Sequence, residues 1–157
     1  MATERRKARS GEGDPYLACC FVVAFQGPPV GGFSECSGLQ VETEFYDYRE
    51  GGVNGFVHRF AGPTKYPPLV LKQGLISINW LSAWHQMVAL GAIVRLNGSI
   101  FLRDKQRRDV MGWDFIEAIP VKWTGPELRA ESAAVAFESI ELAHRGLSGP
   151  YPIPVAP

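Results

Sequence analysis

The sequence contains no apolar run approaching the ~20 residues that a membrane-spanning helix needs. Its first fourteen residues, MATERRKARSGEGD, lack the apolar stretch of a secretory signal. A soluble chain made in a reducing compartment is expected. Cysteines are few: Cys19, Cys20 and Cys36. An odd count with two of them adjacent fits buried thiols better than a disulfide framework. Net charge is missing too, since 16 basic and 16 acidic side chains cancel. That removes a global pull toward nucleic acid or anionic membrane, and no sequence-specific nucleic-acid binding is expected. Histidine occurs only at positions 58, 85 and 144. No Cys or His pair has metal-ligand spacing, and Cys19 and Cys20 would point to opposite faces of a strand. Neither a metal nor a cofactor is expected.

Motifs of catalysis are equally scarce. Arg49–Gly55 (REGGVNG) and Gly62–Lys65 (GPTK) suggest a phosphate loop at first sight. A P-loop, however, needs Ser or Thr after its lysine and a helix beyond it, whereas Lys65 precedes Tyr66 and two prolines. The same missing helix excludes a dinucleotide-binding turn. Cys36, His58 and Asp47 show no nucleophile-elbow context. Glu42 and Glu44 share a strand face, but no aromatic sugar cleft accompanies them. A small hydrolase or ligand-binding barrel using Glu42, Glu44 and His58 is the rival from another class. No enzyme is expected.

What is present is an ordinary single domain. A chain of 157 residues buries roughly 70% of its unfolded surface. Residues 1–14 read as a disordered or partner-ordered tail, and 148–157 as an extended, proline-rich one. Between them, Tyr16–Gln26 is a near-continuous apolar run ended by Gly-Pro-Pro, which predicts a strand buried on both faces. Val30–Ser37 is a short irregular or edge segment. Leu39–Tyr48 alternates, with Val41, Thr43 and Phe45 on one face, and Glu42, Glu44, Tyr46 and Tyr48 on the other. One of these faces is expected to pack on the core. Arg49–Pro68 then reads as a long loop with at most a short strand at Phe56–Phe60, and loops of that length are usually functional.

A short strand follows at Leu69–Lys72. The one helix is predicted near Ser77–Leu90, capped by Ser77 and stopped by Gly91, with Trp80, Leu81, Trp84, Met87 and Val88 as its packing seam. Further strands are expected at Ser99–Arg103, Val110–Ala118, Pro120–Thr124 and Ala134–His144, with Pro120 and Pro126 marking edges or strand ends. The fold class is mainly β (α+β): an antiparallel sandwich or barrel with one flanking helix.

Charge is segregated along the chain. Glu35, Glu42, Glu44, Asp47 and Glu50 oppose one base, Arg49, whereas Arg95, Arg103, Lys105, Arg107 and Arg108 oppose Asp104 alone. Two solvated faces are the plain explanation. An acidic and a basic surface would also suit head-to-tail association of copies.

Several phrases resemble one family, in order: Val30–Gly74 with GGFSECSGL, YREGG and GPTKYPPLVLKQG, then WHQMVALG, RLNGSIFLRD, PVKWTGPELRA and ESIELAHRGL. Together they resemble the tail-tube proteins of contractile phages and of phage-derived contractile injection systems, over most of Pro15–Leu147. The resemblance implies hexameric rings whose strands join into an inner barrel, stacked as a tube inside a contractile sheath. Implied partners are further copies, the sheath, baseplate and tube-initiator proteins, a cap or terminator, and a lumen cargo of protein effector or DNA. A baseplate-proximal initiator or tail-end adaptor ring is the alternative, as is a DNA-conducting phage tail. Synthesis in the cytoplasm of a producing prokaryote is implied.

On this resemblance the Arg49–Pro68 loop becomes an arm to a neighbouring copy, launched from a hinge at Gly51, Gly52 and Gly55. Its contact residues are Arg49, Glu50, Asn54, His58, Thr64, Lys65 and Tyr66 with those glycines. Glu42 and Glu44 become candidates for the lumen wall. Arg103, Lys105, Arg107 and Arg108, with Glu35 and Glu50, become candidates for ring stacking.

Overall fold

The computed structural model describes residues 21–26, 29–30, 33–52, 54–74, 80–131 and 133–154. The tail 1–14, the Cys19–Cys20 pair, and Ser77 with the helix entry around Ile76–Asn79 lie outside them. In chain order the elements are β1 (Phe21–Phe25), β2 (Pro29–Val30), β3 (Phe33–Ser37), β4 (Glu42–Tyr48), β5 (His58–Lys65), β6 (Leu69–Gly74), α1 (Trp80–Ala89), β7 (Leu96–Arg103), β8 (Asp109–Thr124), β9 (Phe137–Ala143) and β10 (Gly146–Pro152).

Two sheets share β8. On one side run β2, β1 and β7, joined to the first half of β8, with β10 along that half's other edge. β10 carries the start of the proline-rich segment into the sheet, with Tyr151 opposite Gly112 and Pro152 opposite Met111. On the other side, the second half of β8 pairs with β9, followed by β6 and β3. Every pairing is antiparallel. The strand path begins at β2 and ends at β3 without closing, so the body is a sandwich rather than a barrel.

The two strands expected at Val110–Ala118 and Pro120–Thr124 are one strand of 16 residues, and Pro120 lies inside it. The proline is tolerated there because the pairing changes. β7 leaves at Ala118, β9 begins at Ile119, and the register slips between Pro120 and Lys122. Just before the change, Glu117 takes a φ of 51°, and Asn97 Oδ1 accepts its N–H at 2.9 Å.

One core lies between the sheets and under the helix. Val23 and Phe25 of β1, Leu69 and Leu71 of β6, Ile100, Phe115, Ile140 and Leu142 meet Leu81 and Trp84 of α1. Phe25 stands edge-on to Trp80 at 4.9 Å, and to Trp84 and Phe115 at 5.7 Å. On the helix, Leu81 and Trp84 are buried, and Trp80 and Val88 pack partly against the core. Met87 departs from the expected seam, at 44% exposed. At about 100° per residue it falls on the margin of the stripe, beside the direction of Trp80. Gly91 ends the helix with a φ of 93°. Its N–H reaches Val88 O and that of Ala92 reaches Met87 O, which satisfies two carbonyls of the last turn.

A polar row crosses the buried face of three strands. Gln73 Nε2 donates to Glu138 Oε1 at 2.6 Å, and Trp123 Nε1 donates to Glu138 Oε2 at 2.8 Å. Glu138→Ala strands both donors and is expected to cost about 2–4 kcal/mol in urea denaturation. Glu138→Gln, which keeps one acceptor, costs less. An unchanged midpoint in the alanine variant shows that the row does not secure the sheet.

Candidate assembly interface

β4 and β5 form a hairpin that pairs with no other strand among the described residues. The sequence suggested a strand packed on the core followed by a long loop. Instead β4 is exposed along its whole length, and the supposed loop contains an eight-residue strand. Gly62-Pro63 inside β5 hid it, because that dipeptide ordinarily breaks strands. Here a bulge absorbs it, with the register slipping between Thr43 and Phe45. The glycines are also placed differently. Gly51, Gly52 and Gly55 lie between the strands at the tip, where Gly52 has a φ of 97°. The base is formed by Gly38–Val41 and Tyr66–Pro68. At the base Gly38, with a φ of 87°, lies so close to the Pro68 carbonyl that no Cβ fits.

The arm has two unlike faces. Tyr46 lies opposite Phe60 and Tyr48 opposite His58, and Phe56 meets His58 edge-on at 4.9 Å. These rings form an exposed aromatic ladder. On the other face Arg59 covers the Phe45 ring at 5.0 Å and bonds Asp47 at 3.1 Å, while the hydroxyls of Thr43 and Thr64 meet at 3.3 Å. That face carries its own polar contacts, although Phe45 on it remains 61% exposed. An isolated two-stranded hairpin is marginal in water at best, so the aromatic face calls for a cover.

The four-strand half offers a second surface. Along its outer face Glu35, Lys72, Ser139 and Thr124 form one row, and Ser37, Val70, Glu141 and Lys122 the next. Lys72 pairs with Glu35 at 3.0 Å and Lys122 with Glu141 at 3.3 Å. The face is therefore hydrophilic and locally neutral. Its two borders are the outer edge of β3 and the edge of β8 from Ile119 to Thr124, neither paired with a strand among the described residues.

The charged candidates are mostly paired within the chain. Glu44 meets Lys65, Asp47 meets Arg59, and Glu50 lies 3.4 Å from His58. The Glu44 hydrogen bond holds the Lys65 ammonium above its usual range. Arg103 pairs with Asp109 at 2.7 Å and Arg108 with Asp104 at 2.8 Å. The N–H of Arg108, then its guanidinium, holds Asp104 below the usual carboxylate range. Lys105 and Arg107 are exposed at the tip of this turn. Glu42 and Glu44 stand on the arm rather than in the sheets. Tyr66 belongs to the base, its ring 5.6 Å from that of His144.

Glu42, Glu44 and His58 line neither of the two cavities described, and His58 and Asp47 are engaged on the arm while Cys36 packs toward the core. No cluster of three or more metal-ligating side chains occurs among the described residues.

The family model for the T4-like virus tail tube protein gp19 matches residues 17–148. The chain belongs to that family. Similar folds occur in a chain of the PVC sheath–tube complex, an extracellular contractile injection system in its extended state, with 22% identity, a TM-score of 0.77, and coverage of 85% of this chain and 90% of that one. The corresponding PVC sheath/tube terminator structure gives 21%, 0.79, 88% and 98%. The six-fold symmetrised baseplate of the anti-feeding prophage gives 24%, 0.74, 87% and 95%. No curated protein sequence matches.

Within this tail tube family member, sequence reasoning missed the paired outer face of the four-strand half. The alternation of Glu138, Ile140 and Leu142 with Ser139 and Glu141 was its available signal. Burial pushes the Cys36 thiol up from 9.0 to about 11. A variant with Cys36 as its only cysteine should therefore react slowly with a thiol reagent at pH 8. Its contribution to stability is complete below pH 9 and is lost as pH rises toward 11. Labelling as fast as in urea would contradict this burial.

Proposed function

We propose that this tail tube family member is the structural inner-tube subunit of a contractile injection particle, without a catalytic role. Copies close into six-membered rings, the rings stack, and the tube lies within a sheath between a baseplate and a terminating cap. The observation that carries this is the pair of free edges bordering the four-strand half. β8 and β6 run one way, and β9 and β3 the other. A copy rotated about an axis along the strands thus brings its β8 antiparallel to the first copy's β3. The unpaired lengths match, at five residues in β3 and six from Ile119 to Thr124 in β8. Repetition of this head-to-tail contact closes a ring and leaves neither of these two edges exposed.

The charge-paired outer face then forms the lumen wall, in place of the expected Glu42 and Glu44. The aromatic face of the arm covers another copy. Synthesis is cytoplasmic, and the cargo is a protein effector or DNA. Electron microscopy of the purified full chain at rising concentration should show rings stacking into tubes. Single rings that never stack assign the chain to an initiator or adaptor position. A strict monomer under all conditions, including co-expression with baseplate proteins, overturns the proposal.

Replacing Tyr46, Tyr48 and Phe60 together with serine should cost the sandwich body no more than about 0.5 kcal/mol, as at surface sites generally. It should nevertheless reduce tube formation strongly. Normal tubes from this variant remove the arm from the assembly interface.

A further inference from the structure

Beside the free edge of β3 lies an open cavity of about 700 Å³. Ser34 and Glu35 of β3 and Lys72 of β6 line it, together with Glu127, Arg129 and Val135 from the connection between β8 and β9. That connection therefore shares a cavity with β3, at the far border of the four-strand half. Glu127 and Arg129 line the cavity and pair at 2.6 Å. Leu128 between them is 81% exposed, and Val135 is 68% exposed. Val135 lines the cavity beside the unpaired strand edge and Leu128 sits between two residues that line it, a place where uncovered apolar surface is a liability.

Strand direction identifies what would cover them. In the ring proposed above, β3 lies antiparallel to the next copy's β8, so the Thr124 end of that β8 meets the Ser34–Glu35 end of β3. The cavity lies at that end. The arriving edge carries Val121, which is 48% exposed beside the Pro120–Lys122 register slip. We propose that Leu128 and Val135 overhang the β3 edge and clasp a second copy of this chain at Val121–Thr124, closing the cavity. Each copy gives one clasp and receives one, as a heterologous ring contact requires. The clasp rests on the ring reading but adds a side-chain lock to the main-chain joint.

The test uses assembled full-length chain with Cys19, Cys20 and Cys36 changed to alanine, carrying Val121→Cys and Leu128→Cys. Treatment with a short bis-maleimide should give a ladder of covalent multimers on a denaturing gel, extending to the ring. Rings visible by microscopy without a ladder overturn the clasp and leave the ring reading standing. Failure of the wild-type chain to form rings overturns both. In a second variant, Leu128→Ser should raise the concentration needed for assembly by about tenfold, with the thermal unfolding of the monomer unchanged. Assembly at the wild-type concentration in that variant also overturns the clasp.

Discussion

Strand β8 bonds to β7 as far as Ala118 and to β9 from Ile119 onward, and this exchange leaves one edge of its second half without a strand beside it. The same strand supplies Phe115 to the core, so the free edge cannot move independently of the body. Pro120 and the left-handed Glu117 sit at the exchange, where an ordinary ladder is interrupted. Four strands of alternating direction then follow between two open borders. An even number is what lets successive copies join antiparallel, so the strand count and the partner exchange together set the geometry of the proposed joint.

The arm addresses a different requirement. Backbone pairing along strand edges fixes register, but it is the same for every side chain and offers little discrimination. The aromatic ladder of Tyr46, Tyr48 and Phe60 has shape and a more polar reverse face, where Arg59, bonded to Asp47, lies over the Phe45 ring. In the proposed assembly, peptide edges and an aromatic face make complementary contributions: one gives a continuous wall, the other selects the surface it meets.

Much of the body was legible in the sequence because its burial follows simple periods. The apolar run that contains β1 and the Trp80–Val88 stripe both contribute to the core, through Val23 and Phe25 and through Leu81 and Trp84. The arm was misread for a definite reason. The alternation in β4 implied a buried face, yet both faces are exposed, since nothing in local periodicity says whether a partner lies in the same chain. Met87 shows the limit of helical spacing at the margin of a stripe. The segregated charges misled similarly: residues distant in sequence become cross-strand pairs, such as Glu35 with Lys72 and Glu44 with Lys65.

That pairing bears on how copies attract one another. Glu35, Glu44, Asp47, Arg103 and Arg108 each have an oppositely charged neighbour within their own chain. Exposed pairs of this kind contribute little energy, but they cancel the field that a linear count of charges would assign to each segment. The acidic segment is thereby largely neutralised within the chain, whereas Lys105 and Arg107 of the basic one stay exposed at their turn. Among the features left without a partner in a single copy are the open edge of β3, the open edge of β8 and the exposed rings of the arm. In the proposed assembly, association through these features is governed by water leaving apolar surface and peptide groups finding partners, both of which act at short range and only in the correct alignment.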